Sequence, residues 1–180
     1  RACVFLLLWS NMLFGQDRVQ TVSTKALDEP LSIRVYLPPD YDQNSKARYP
    51  SLYFNDGQDA EAVGLAETLD RLYREKRIAP VIVIAIPMLP DRMGIYGYSD
   101  RKAAVSLPAA TRFGPVGAKA HAYSEWLALS LVPEIDQQFR TVRNAEARTV
   151  LGWSLGAANA FNIGWNYPDV FGRIGGFSPA

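Results

Sequence analysis

The pentapeptide Gly152-Trp153-Ser154-Leu155-Gly156 holds the residue types that nucleophilic acyl chemistry needs. A serine hydroxyl is a weak nucleophile. It acts only where a base takes its proton and hydrogen-bond donors receive the oxyanion that forms. An apolar run, Arg148-Thr149-Val150-Leu151, leads into this serine, and a small-residue stretch, Ala157-Ala158-Asn159-Ala160-Phe161, leads out of it. The pattern reads as strand, sharp turn and helix with Ser154 at the apex, and such a turn lifts the hydroxyl above a sheet edge. Glycine at both flanks removes side chains where strand and helix nearly touch. The start of the helix would offer an oxyanion free N–H groups and a positive partial charge. The competing reading is a glycine-rich turn that merely exposes a serine.

In a site of this kind one oxyanion donor is the backbone N–H of the residue after the nucleophile, here Leu155. The other comes from the loop after an earlier strand. Ser51-Leu52-Tyr53-Phe54 reads as that strand, and Asn55-Asp56-Gly57-Gln58 after it has turn composition. The second donor is therefore assigned to the N–H of Gln58. For Asp56-Gly57-Gln58 the alternative is a plain strand-to-helix turn.

A base is harder to find. The chain has one histidine, His121, just before a helix expected from about Tyr123, and it reads as a solvated helix-edge residue rather than the base. Glu134 and Asp136 fall on the same helical stretch and read as solvated carboxylates, not a catalytic pair. Arg92, Tyr96, Tyr98, Asp100 and Arg101 either line an acyl or aryl pocket or form ordinary loop surface. Trp153 is expected to pack near the site, and Trp126 and Trp165 to be core or helix-face residues.

Positioning these groups falls to a strand–helix alternation. Residues 19–26 and 32–37 read as an antiparallel pair around a turn at Asp28-Glu29-Pro30. Residues 61–74 carry one apolar stripe through Leu65, Leu69 and Leu72 and read as a helix. Val81-Ile82-Val83-Ile84-Ala85-Ile86 is a β-branched run suited to a strand buried on both faces. Residues 87–120 have no sustained period, which marks a functional or a disordered loop. Helical spacing returns over 123–139, where Pro133 should kink or divide the helix. The helix behind Ser154 should end at Asn166-Tyr167-Pro168, and Arg173-Ile174-Gly175-Gly176-Phe177 reads as a last strand. Together these predict a mostly parallel sheet with helices on both faces. Ligands on such sheets bind at the carboxyl ends of the strands. Three segments converge there: the turn at Asp56, the long loop after Ile86, and Ser154.

Composition narrows the function classes. The 180 residues are 48% hydrophobic and 21% charged, with a net charge of +1 and no basic block of the kind that binds nucleic acid. The single cysteine, Cys3, excludes a disulfide framework and a cysteine metal site. Residues 1–16 combine a basic residue, a short apolar run over 4–9 and a small residue at Gly15. They read as a clipped secretory signal, too short to span a bilayer, with an N-terminal strand as the alternative. The remainder, 17–180, would then be the working domain of a secreted or periplasmic protein.

The chain resembles the "putative esterase" (esterase D-like) group of α/β-hydrolases, which includes feruloyl esterases, siderophore esterases and mycolyltransferases. The stretches that carry the resemblance begin with Val35-Tyr36-Leu37-Pro38-Pro39-Asp40-Tyr41 and Tyr53-Phe54-Asn55-Asp56-Gly57-Gln58-Asp59. They continue through Leu131-Val132-Pro133-Glu134-Ile135-Asp136, Phe139-Arg140-Thr141 and the Ser154 pentapeptide. The last are Tyr167-Pro168-Asp169-Val170-Phe171 and Gly175-Gly176-Phe177-Ser178-Pro179. The resemblance implies an α/β-hydrolase fold, Ser154 as nucleophile, oxyanion donors at Gln58 and Leu155, and neither metal nor organic cofactor. It also implies an acid and a histidine after the nucleophile. After Ser154 this chain has only Asp169, which reads as a turn or capping residue, and no histidine. The expectation is a domain cut short at its C-terminus and lacking the triad acid and histidine. The expected activity is hydrolysis of a small-molecule or sugar-linked carboxylic ester. The alternatives are an acyltransferase of the mycolyltransferase type and a non-catalytic carbohydrate-binding relative.

Overall fold

The computed structural model describes residues 18–178, so the expected signal segment at 1–16 lies outside the described residues. The chain opens with a hairpin, β1 (Val19–Ala26) and β2 (Glu29–Tyr36). Its turn is the two residues Leu27 and Asp28, both at positive φ (50° and 70°), and Ala26 pairs with Glu29. The turn therefore falls earlier than its composition suggested. Two central residues at positive φ match the twist of the flanking strands better than a turn through Pro30 would. Pro30 sits inside β2 opposite Lys25, at the end where β2 has no second neighbour: the β2–β4 register covers only Arg34 to Tyr36. A missing N–H costs nothing there.

Strand β3 (Ser51–Asn55), helix α1 (Leu65–Arg74) and strand β4 (Ile82–Ile86) follow. Helix α1 starts later than the apolar stripe suggested, because residues 61–64 form turns and Gly64, left-handed at φ 59°, interrupts the helical run just before Leu65. The long segment after β4 is ordered. It holds a short helix, α2 (Arg92–Ile95), and two small hairpins, β5 (Tyr98–Asp100) with β6 (Val105–Leu107) and β7 (Ala109–Thr111) with β8 (Gly114–Val116). Three-residue strands are too short to leave a period in the sequence.

Next come α3 (Ala120–Trp126), a π-helical turn (Leu127–Leu131) and α4 (Val132–Gln138). The expected disturbance at Pro133 takes this form. Proline has no N–H for the carbonyl four residues back, and the helix widens just before it, with the Val132 N–H reaching the Leu127 carbonyl. Strand β9 (Arg148–Trp153), helix α5 (Leu155–Asn166) and strand β10 (Arg173–Phe177) complete the chain.

The six long strands form one sheet in the order β1-β2-β4-β3-β9-β10. β4, β3, β9 and β10 run parallel, while β2 runs antiparallel to both its neighbours, β1 and β4. Both faces are covered. Phe54, Val83 and Ala85 pack with Leu65, Ala66 and Leu69 of α1. Tyr53, Ile82, Ile84, Ile86 and Val150 pack on the other face with Leu127, Leu131, Ile135, Ala160 and Ile163. All five residues of β4 are buried. Each Ile or Val removed from water there stabilises the fold by about 1.5–3 kcal/mol. Among the described residues no helix is long and apolar enough to cross a membrane.

The strand order also locates a crevice. From β3 the chain moves outward to β4 on one side, and later returns to β9 on the other. The sheet thus reverses direction between β3 and β9, and the gap beyond the carboxyl ends of those strands is where open α/β sheets hold ligands.

Candidate active site

Ser154 stands at that gap, between the end of β9 and the first turn of α5. Its backbone is at φ 51°, ψ −128°, a region that costs a non-glycine residue about 1–3 kcal/mol. The strain is held from both sides. The Ser154 N–H donates to the Phe177 carbonyl at 2.9 Å, and the Ser154 carbonyl accepts from Ala157 at 3.0 Å and Ala158 at 3.2 Å. The residue is exposed, while Gly152 and Gly156 on either side are buried. A Cβ on Gly152 would run into the backbone carbonyl of Gly156, so strand and helix touch backbone to backbone. Leu155 takes the first position of the 12-residue helix α5. A helix N–H at that position has no intrahelical partner, and the helix dipole adds positive charge there.

Gln58 lies across the gap, on the loop after β3, as the second residue of the 3-10 turn Gly57–Ala60. Its N–H likewise falls where a helical turn leaves donors unpaired. Its side chain is occupied: Oε1 accepts from the Met88 N–H at 2.9 Å, and Nε2 donates to Asp56 Oδ1 at 3.4 Å. The two loops meet directly. Asn55 Nδ2 donates to the Gly156 carbonyl at 3.1 Å, and a Cβ on Gly156 would lie 2.6 Å from Asp56 Oδ2. The structure thus brings Ser154, Leu155 and the Gln58 turn to one edge.

Five further residues build this edge. Asn55 and Asp56 are buried. The Asp56 carboxylate receives Arg92 Nε and Nη2, each at 2.8 Å, and the Asp56 N–H donates to the Tyr96 hydroxyl at 3.2 Å. The Tyr123 hydroxyl donates to Asn55 Oδ1 at 3.2 Å. Burial pushes the Tyr96 and Tyr123 hydroxyls well above the ordinary tyrosine range, so both stay neutral hydrogen-bonding groups. The hydrogen bond from Arg92 to Asp56 raises the Arg92 guanidinium further and keeps it charged. Sequence reasoning placed Arg92 and Tyr96 among pocket or surface residues of the long loop. Tyr96 is buried and Arg92 partly exposed, and both brace the turn after β3. The only local signal was an aspartate in a turn. Its partner lies 36 residues on, and no spacing rule links the two.

The remaining residues fall elsewhere. His121 is on the first turn of α3, where its N–H donates to Ser106 Oγ at 3.0 Å. Among the described residues, the Ser154 hydroxyl makes no hydrogen bond to a histidine or a carboxylate. Asp169 sits in the turn after α5 and is paired with Arg101, whose hydrogen bond holds its carboxyl below the usual carboxylate range. Asp136 is a correction. It is buried rather than solvated, accepting from Arg148 Nη2 at 2.6 Å and from Thr141 Oγ1 at 2.6 Å. It ties α4 to the start of β9, a tertiary pairing the helical period does not encode. Glu134 is half-buried and accepts from Thr24 at 2.8 Å. Trp153 packs edge-on against Phe54 with centroids 4.8 Å apart, Trp126 is in the core, and Trp165 is 84% exposed on the outer face of α5. Among the described residues no group of three or more His, Cys, Asp or Glu side chains could hold a metal ion.

Comparison with known proteins agrees with this architecture. The protein YjcH of Bacillus subtilis (strain 168) is 30% identical over 152 residues, covering 84% of this chain and 56% of that protein. The BES protein from Bacillus cereus superposes with a TM-score of 0.70 at 17% identity, over 91% of this chain and 62% of that one. An IroE-like serine hydrolase from Shewanella oneidensis gives 0.68 at 22% identity, over 87% of this chain and 49% of that one. The fold is of the α/β-hydrolase type. The chain spans about half the length of the curated relatives it matches. A family model described as "Putative esterase" matches residues 24–180, and the chain belongs to that family.

Proposed function

We propose that this protein is a carboxylic-ester hydrolase working through an acyl-enzyme on Ser154. One observation carries the reading. An exposed serine at φ 51° tops a strand–turn–helix elbow, and the elbow packs against a second helical turn whose first N–H groups have no partner within the turn. Ser154 Oγ would attack the ester carbonyl. The N–H groups of Leu155 and Gln58 would receive the oxyanion of the tetrahedral intermediate. Collapse would expel the alcohol and leave the acyl group on the serine, and water would then release the acid. Each oxyanion donor is worth about 3 kcal/mol of barrier in such chemistry. Family membership and the likeness to a serine hydrolase support the reading.

Residues 18–178 bring no base into hydrogen-bond contact with Ser154. The same proposal therefore holds that the 180-residue chain alone turns over slowly, because a serine without its base keeps only the contributions of binding and the oxyanion site. Because this chain spans only about half the length of its curated relatives, the base is proposed to lie in the part of a full-length gene product that this chain does not span. The substrate is proposed to be a small-molecule or sugar-linked ester. Export to the periplasm or medium belongs to the proposal through the apolar run at residues 4–9.

The test is fluorophosphonate labelling of the full-length product, with hydrolysis of p-nitrophenyl acetate measured alongside. Labelling confined to Ser154 and abolished by Ser154→Ala is expected. A folded full-length protein that resists labelling at Ser154 would refute the proposal. Adding a sugar acceptor separates hydrolysis from acyl transfer by the products formed.

A further inference from the structure

The turn after β3 carries a backbone strain of its own. Asp56 lies at φ 61°, ψ 40°, in the left-handed region. Aspartate tolerates this region better than most residues, so its partners and not its strain decide how firmly the turn is held. Those partners are few and specific. The Asp56 carboxylate is 1% exposed and is gripped by both arms of the Arg92 fork. The Asp56 N–H is taken by the Tyr96 hydroxyl. Arg92 opens α2 and Tyr96 closes it, so a single four-residue helix from the long segment clamps Asp56 at two points. Gln58 follows two residues later, and its side chain is tied to Met88 of the same long segment. A fork of two parallel N–H···O bonds fixes orientation as well as position. A lone ammonium cannot do this.

We propose that Arg92 is a positioning residue for ester hydrolysis: by forking onto Asp56 it holds the left-handed turn that aims the Gln58 N–H at the acyl oxygen. The inference rests on the reading of Ser154 as the acyl acceptor. Arg92 keeps 27% of its side chain exposed, yet the two nitrogens that fork are both spent on Asp56. Its effect should therefore pass through the turn rather than through contact with substrate. Displacing an oxyanion donor by about 1 Å costs up to about 100-fold in rate. It should leave ground-state binding of a small neutral ester nearly unchanged.

The experiment compares wild type, Arg92→Gln, Arg92→Ala and Arg92→Lys in the full-length gene product, with p-nitrophenyl acetate as the probe. For Arg92→Gln and Arg92→Ala we expect kcat to fall about 10- to 100-fold with KM within about twofold. Arg92→Lys should recover only part of the loss, because the charge returns without the fork. Amide hydrogen exchange at Asp56 and Asp59, whose N–H groups donate to the Tyr96 hydroxyl and the Asp56 carbonyl, should speed up in all three variants while β3 and β9 keep wild-type protection. That local signature stands even where one variant loses activity for other reasons. An unchanged kcat in Arg92→Gln overturns the inference, as does a change confined to KM, which would mark a substrate contact. Faster exchange spread over the whole sheet would also overturn it, since it would mean general destabilisation. A wild type that is neither labelled nor active means that the reading of Ser154 has failed, and the inference falls with it. An active wild type whose Arg92→Gln variant keeps its kcat sinks the inference alone.

Discussion

Replacing Gly156 by alanine tests the contact on which the site is built. Gly156 is the second residue of α5, and a Cβ there would lie 2.6 Å from Asp56 Oδ2 and 3.4 Å from the Asn55 Cβ. Ordinary contact begins near 3.4 Å, so helix and turn must separate by roughly 0.8 Å, or the carboxylate must turn away. Rotation is blocked, because both carboxylate oxygens are held by Arg92 at 2.8 Å. Overpacking of this kind costs about 1–3 kcal/mol. Alanine in place of glycine within a helix returns up to about 1 kcal/mol. The net expectation is a loss of about 1–2 kcal/mol. Gly164, in the interior of the same helix, is the matched control. A Cβ there would lie 2.3 Å from Ile174 Cγ1 and 2.5 Å from its Cδ1, but Ile174 is 38% exposed on the edge strand and can turn about χ1. Gly164→Ala should therefore cost less than Gly156→Ala, since the Ile174 side chain can yield and the Asp56 carboxylate cannot. Equilibrium urea unfolding of the two variants reads the difference, and the fluorophosphonate labelling rate of Ser154 reads the displacement of the elbow. If Gly156→Ala matches Gly164→Ala in both measurements, the turn and the elbow are not locked together and the reasoning about this edge is wrong.

Asn55→Ala should cost about 1–3 kcal/mol in the same unfolding assay, because it leaves the Gly156 carbonyl and the Tyr123 hydroxyl without their shared partner inside the protein. Arg148→Met should cost about 3–5 kcal/mol by stranding the buried Asp136 carboxylate, and Asp136→Asn added to it should recover part of that loss in a double-mutant cycle. The Arg101 hydrogen bond lowers the Asp169 pKa in the folded state, so the pair contributes stability above the ordinary aspartate value of about 3.9 and loses it as pH falls through the lower folded value. Wild type and Arg101→Gln should therefore differ in Tm at neutral pH and converge in strong acid. The pair is exposed and screened by solvent, so the difference should stay below about 1 kcal/mol.

Local chemistry reaches far into this fold. The β-branched run through Ile82–Ile86 has apolar side chains on both faces, so it could only be a strand covered twice, and it lies inside the sheet. Val150 and Leu151 before Ser154, and the small residues after it, specify strand and helix, and the pair of flanking glycines permits the elbow between them. Turn composition at Asp56-Gly57-Gln58 is likewise local and marks the end of β3. The three-residue strands of the long segment left no trace, since a period needs several repeats to register. The hairpin turn was misplaced by a residue or two because Pro30 is a strong turn former, yet here it occupies an unpaired strand end.

Residue types and spacing by themselves determined the order of the long strands and helices, the elbow at Ser154 and the segments that would gather at one edge. Only the tertiary structure decided that β3 and β9 are neighbours, that Gly156 presses on Asp56, that Tyr96 and Asp136 are buried, and that Arg92 spends its fork on Asp56. The physical reason is range. Side-chain periodicity and turn propensity act over a few residues, whereas the bonds that orient this edge join groups 36, 40 and 101 positions apart. Such pairs form only once burial has brought their strands together.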